Sequence, residues 1–165
     1  MGTRARVEVY DGNQCLVSIY RHWDGYPSGL GLELADFLSG SKLVNGISDY
    51  GKPQFNGIQD LAAQLVWSLK RNEKAPGTPQ IGNVYLYPPM TEDGEAGEEY
   101  VYRITSRPAE KPKKGEPAEV VHVSVTGGDI TAFGSPNDPS SFRGLFTGDV
   151  VTYKAWLLAA GAAEG

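Results

Sequence analysis

Hydrophobic and polar residues alternate over 4–10 (Arg-Ala-Arg-Val-Glu-Val-Tyr), which places Ala5, Val7 and Val9 on one face of a predicted strand. Asp11-Gly12-Asn13 is a hairpin signal, and the returning strand is predicted from Gln14 to Trp23. The run Asp24-Gly25-Tyr26-Pro27-Ser28-Gly29 breaks that strand. Leu30, Leu34, Phe37 and Leu38 then recur at helical spacing, so a helix is predicted over 30–39, with Gly40 at the C′ position.

The clearest period is that of Ile58, Leu61, Ala62, Leu65, Val66 and Leu69, which form one helical face. Asn56 with Gln59 three residues later reads as a capping box, and Lys70-Arg71 suits the C-terminal end of the helix dipole. Gln64 and Trp67 lie off the apolar stripe. Strands are predicted at 84–87 (ended by Pro88-Pro89), 100–106, 119–126 and 130–133. In the third of these Val121, Val123 and Val125 point inward, with His122 and Ser124 outward. Asp138-Pro139 reads as the start of a short helix. Residues 150–158 fit a strand or a helix, because no period decides between them.

The segment 107–118, rich in Pro, Lys and Glu, reads as a mobile charged loop, and 159–165 as a frayed tail. Two strands, two helices and then mostly strands predict a single α+β domain over 1–165. The expected architecture is a largely antiparallel sheet with two main helices packed on one face and the other face left free.

Composition narrows the class. A chain of 165 residues with 40% hydrophobic and 21% charged residues is that of an ordinary globular protein. A net charge of -5 weighs against general nucleic-acid binding. The one cysteine, Cys15, allows no internal disulfide and suits a reducing compartment. No apolar run is long enough to span a bilayer and no signal peptide is evident, so a cytoplasmic location is expected. Nine tyrosines exceed what a core of this size requires and fit a binding surface.

The densest chemistry lies in Tyr20-Arg21-His22-Trp23-Asp24-Gly25-Tyr26-Pro27-Ser28-Gly29. Strand alternation puts Arg4, Arg6, Tyr20 and His22 on one face, with Arg21 on the core side at the sheet's end. Guanidinium groups beside aromatic plates suit a planar anion, because cations pair with phosphate and rings stack on bases. Ser28 and Gly29 stand at a helix start, where backbone N–H groups favour an anion. The candidate ligand-binding set is therefore Arg4, Arg6, Tyr20, Arg21, His22, Trp23, Asp24, Tyr26, Ser28, Gly29, Asn56 and Gln64. Each also has a plain reading: solvated strand residues, turn formers, a helix cap and a polar helix face. Tyr85, Tyr87, Tyr100, Tyr102 and Arg103 extend a candidate aromatic surface on later strands, although cross-strand tyrosines also stabilise sheets without a ligand.

The sequence contains no G-x-S-x-G, H-E-x-x-H, C-x-x-C or P-loop pattern, so no catalytic residue, metal site or cofactor is assigned. A hydrolase would need His22 and Asp24, with His122 brought in through space.

Four stretches carry a resemblance: Met1-Gly2-Thr3-Arg4; residues 20–29; Phe55-Asn56-Gly57 with Asp60-Leu61-Ala62-Ala63-Gln64; and Val84-Tyr85-Leu86-Tyr87-Pro88. Over residues 1–105 the chain resembles a family of small proteins of bacteriophages, prophages and bacteria. The resemblance implies a phage-associated setting in the host cytosol and supplies no catalytic residues. The leading expectation is a non-enzymatic, homo-oligomeric binder of a small anionic nucleotide-like molecule, sequestering a host immune signal. The alternatives are a protein–protein inhibitor of a host defence enzyme, acting through its tyrosine-rich sheet face, and a nucleotide hydrolase.

Overall fold

Gly12, at φ +56°, is the first of two turn residues joining β1 (Ala5–Asp11) to β2 (Gln14–Arg21), a geometry suited to a type II′ hairpin. The computed structural model describes residues 2–46, 51–114, 116–128 and 142–164, with side chains through Ala159 in the last helix. The strand expected at 130–133 and the helix start expected at Asp138-Pro139 lie outside the described residues.

After β2 the chain makes a five-residue π-helical turn, Pro27–Gly31, that runs directly into α1 (Leu32–Ser39). Short strands β3 (Lys42–Val44) and β4 (Gln54–Asn56) pair in parallel ahead of α2 (Gly57–Lys70). Then come β5 (Val84–Leu86), β6 (Tyr100–Pro108), β7 (Glu119–Gly127), β8 (Arg143–Asp149) and α3 (Val150–Glu164). Six strands form one sheet in the order β5-β2-β1-β6-β7-β8, antiparallel except for the central β1–β6 pair. The fold is α+β, as the element order predicts.

One core lies between the sheet and the helices. Ala5, Val7, Val9, Ile19, Tyr102, Ile104 and Val121, Val123 and Val125 pack against Leu34 and Leu38 of α1, Leu61 and Leu65 of α2, and Tyr153 and Leu157 of α3. Residues 150–158 belong to α3, which also continues through the segment read as a frayed tail. Their period was mute because the helix is apolar nearly all round. Tyr153 and Leu157 are buried, while Val151 and Leu158 are exposed.

The α2 cap differs from expectation. Asn56 makes no side-chain cap bond, and Asp60 Oδ2 accepts the Asn56 N–H at 2.8 Å. Gln59 reaches instead to Asp11, and Asn56 Oδ1 accepts the Gly46 N–H, both at 2.8 Å. A carboxylate one residue further along does the work assigned to Gln59, which the hairpin holds elsewhere.

At α3, Asp149 Oδ1 accepts the Thr152 N–H at 2.9 Å and the Thr152 hydroxyl at 2.8 Å. These bonds hold its carboxyl below the ordinary value of 3.8. The unfolded chain therefore binds this proton more readily, so the cap's contribution is complete above the ordinary value and is lost as pH falls through the folded value. Asp149→Ala is expected to cost about 1 kcal/mol at pH 7 in urea unfolding. Asp149→Asn should keep most of the cap and flatten the acid limb of the pH–stability curve.

Candidate functional site

The face away from the helices is not free. Residues 88–99 fold across it as an acidic strap. Arg6 is 1% exposed and Glu98 0%. Glu98 Oε1 accepts from Arg6 Nε at 3.0 Å and from NH2 at 2.7 Å. Arg6 NH1 donates to Ser18 Oγ at 2.8 Å and to the Pro88 carbonyl at 3.1 Å. Nearby, Glu8 accepts from the Tyr10 hydroxyl and from the Met90 N–H, and Asp93 pairs with Arg103 and with the Thr126 hydroxyl. Burial and the Glu8 carboxylate push the Cys15 thiol up, so it sits as a protonated donor beside that carboxylate.

This overturns part of the expected cation cluster. Arg6 is an internal partner of the strap. Arg21 is buried as well, with its guanidinium paired in bidentate fashion to Glu33 of α1 at 2.8 and 3.1 Å and its Nε on the Trp23 carbonyl at 2.8 Å. Of the three guanidinium groups expected to gather, Arg4 stays exposed. Gln64 donates to the Gln54 carbonyl at 2.9 Å and to Asp60 at 3.0 Å, a structural role like that of Asn56. Gly29 N–H donates to the Tyr26 carbonyl at 2.9 Å, so it is not a vacant anion donor, while Ser28 is exposed. Tyr102 lies inside the core, its hydroxyl donating to the Gly25 carbonyl at 2.8 Å, and does not extend the surface.

A rigid aromatic surface remains. Tyr20 is buried under Tyr87, the two rings stacked 4.8 Å apart at 11°. The Arg6 guanidinium lies 5.0 Å from the Tyr87 ring centre on the same stack. Tyr85 packs 6.2 Å from Tyr20, with Lys70 Nζ 5.6 Å over its ring. The Tyr20 hydroxyl meets His22 Nδ1 at 3.1 Å, and Trp23 meets the His22 ring edge-on at 4.9 Å. Burial raises the Tyr20 phenol, with the Arg4 charge pulling the other way. Trp23, Tyr85, Leu86 and Tyr87 are exposed at 50%, 47%, 62% and 39%. Tyr26 is also exposed and donates to Asp24 Oδ1 at 3.3 Å.

The sheet edge beside these rings is sealed. Lys70 Nζ donates to the Val84 carbonyl at 2.8 Å and to the Gly82 carbonyl at 3.2 Å, and Pro88-Pro89 follow β5. A short edge with a lysine on its carbonyls and prolines beyond resists addition of another strand. This edge therefore presents side chains rather than open backbone groups.

His22 directly follows β2 and His122 lies on β7, with β1 and β6 between those strands, so the two are more than about 14 Å apart at the usual strand spacing. They do not form an acid–base pair. Among the described residues, no three His, Cys, Asp or Glu side chains gather closely enough to hold a metal ion. No described helix is long and apolar enough to cross a membrane.

A groove of about 780 Å³ opens between α2 and the loop over 71–80. Ala63, Val66, Trp67, Pro76 and Pro79 supply its apolar walls. Residue spacing placed Trp67 off the core stripe; what spacing could not show was the wall opposite it. Comparison with family models, with curated proteins and with solved structures finds no match for this chain.

Proposed function

We propose that this is a non-enzymatic binding protein that grips a protein partner through the ring surface of Tyr85, Tyr87, His22 and Trp23. The observation that carries this reading is the packing of Tyr87 on the buried Tyr20 and beside the buried Arg6 guanidinium. Rings fixed from below lose little entropy on binding, and Tyr and Trp dominate interface hot spots. Arg6 and Arg21 support the surface rather than an anion. In the phage-associated setting that the sequence resemblance implies, the partner is a host protein whose activity is blocked by occlusion. The exposed stripe Val151, Ala155 and Leu158 on α3 supports the expected self-association.

The test is capture from host lysate by immobilised protein, with quantification of any stoichiometric partner. Tyr85→Ser/Tyr87→Ser is expected to weaken capture about 100-fold or more, a typical loss for two hot-spot rings. Arg4→Ala should leave capture within about threefold, as a rim charge does. Capture indifferent to the tyrosines would sink the proposal. A thermal shift with nucleotides that disappears in Arg4→Ala would instead favour an anionic small molecule at this surface.

A further inference from the structure

We propose that the groove between α2 and the loop over 71–80 binds a small aromatic molecule carrying one negative charge, with Trp67 as its stacking plate and Arg71 as its counter-ion. The hollow falls within the size range of small-molecule sites, about 300–1,000 Å³. Its chemistry is selective. Trp67 is 66% exposed, an unusual state for an indole on an ordered helix, and it faces the groove shared with Pro76 and Pro79. The Arg71 guanidinium lies 5.4 Å from the Trp67 ring centre. Among the described residues no carboxylate pairs with Arg71, although the whole chain carries a net charge of -5. An indole face with an adjoining guanidinium complements a ring that bears a carboxylate or a phosphodiester.

The walls are preorganised. Asn72 N–H donates to the Thr78 carbonyl at 2.9 Å, Thr78 N–H to the Ala75 carbonyl at 3.1 Å, and Lys74 N–H to Asn72 Oδ1 at 3.0 Å. Three of the four carbonyls that end α2 are covered too. Arg71 N–H takes that of Trp67, Gln80 Nε2 that of Leu69, and Gln80 N–H that of Lys70. An anionic group entering here therefore meets Arg71 and a helix end whose repelling carbonyl oxygens are mostly covered. The Lys70 ammonium is already bonded to the Gly82 and Val84 carbonyls. Glu73 lines the same groove, and its negative charge sets the preference for one negative charge over several.

The experiment is chemical-shift mapping on the full chain, following the Trp67 indole N–H and the amides of Gly77 and Thr78. The probes are indole-3-acetate (a ring with a carboxylate), 3′,5′-cyclic AMP (a ring with a phosphodiester), adenosine (a ring without charge) and ATP (a polyanion). At least one of the two monoanions is expected to saturate below about 1 mM and to bind about tenfold tighter than adenosine and than ATP. Whichever binds identifies the anionic group. Trp67→Ala, which removes an exposed side chain and leaves the core filled, should weaken that probe about tenfold or more. Arg71→Gln should erase the advantage over adenosine. No saturable shift from either monoanion up to about 5 mM overturns the proposal, as does binding unchanged by Trp67→Ala. Equal binding of adenosine overturns the counter-ion role, and tighter binding of ATP overturns the single-charge preference. Neither variant touches Tyr85 or Tyr87, so failure here is separate from failure of partner capture.

Discussion

Glu98→Ala is expected to lower the unfolding free energy by about 3–5 kcal/mol, because it leaves the Arg6 guanidinium buried and uncompensated. Arg6 makes four hydrogen bonds inside the protein: two to Glu98, one to Ser18 and one to the Pro88 carbonyl. With Glu98 gone, two charged donors lose their acceptor at a place that water does not reach. Arg6→Ala should cost a similar amount for the mirror reason. The double change Arg6→Met/Glu98→Leu should cost much less than the sum, since no charge is then stranded. Urea unfolding of the four proteins measures the coupling. The same cycle reports on the candidate surface. Tyr87 rests on Arg6, so Glu98→Ala should also weaken the near-UV signal of the tyrosine stack. A Glu98→Ala loss below about 1 kcal/mol would mean that the strap is not latched and that the rings are not held as described.

The sequence made the framework readable because its periods are local. The β1–β2 hairpin, the α2 stripe and the inward valines of β7 each follow from spacing within a dozen residues. Alternation also assigned Arg6 and Tyr20 to one face and Arg21 to the other. What it could not give is what covers a face. Residues 88–99 have no hydrophobic period of their own, yet two of their carboxylates cross to guanidinium groups of β1 and β6. The Arg6–Glu98 pair spans 92 positions in sequence. A hint was present in Arg6, Glu8 and Arg103 on strands facing a loop with Glu92, Asp93, Glu95, Glu98 and Glu99. Charges of both signs on a strand face, beside a carboxylate-rich loop, are better matched to each other than to water. The candidate site followed the same logic. Exposed rings survived as candidates, whereas the cations beside them were recruited by closer carboxylates.

Gly25→Ala is expected to cost about 3 kcal/mol, at the upper end of overpacking penalties, and this makes the motif over 20–29 a structural knot as well as part of the proposed recognition surface. A methyl group on Gly25 would lie 2.6 Å from Ala5 Cβ and 2.8 Å from the Thr3 carbonyl oxygen, and neither the strand nor its backbone can step aside cheaply. The surrounding bonds leave no slack. Gly25 N–H donates to the Thr3 carbonyl at 2.8 Å, Leu30 N–H to the Asp24 carbonyl at 2.8 Å, and the buried Tyr102 hydroxyl to the Gly25 carbonyl at 2.8 Å. Asp24 holds φ at +59°, a conformation that a non-glycine residue adopts at some strain, and this is what swings the chain from β2 into the π-helical turn. Displacing Gly25 would therefore disturb the start of α1 and the base of Trp23 together. Urea unfolding should show the loss in Gly25→Ala and a smaller one, of about 1 kcal/mol, in Tyr102→Phe, which removes one buried donor without adding bulk. If Gly25→Ala unfolded within about 0.5 kcal/mol of the parent, the close approach to β1 would be wrong, and the dense motif would revert to a surface selected for contact alone.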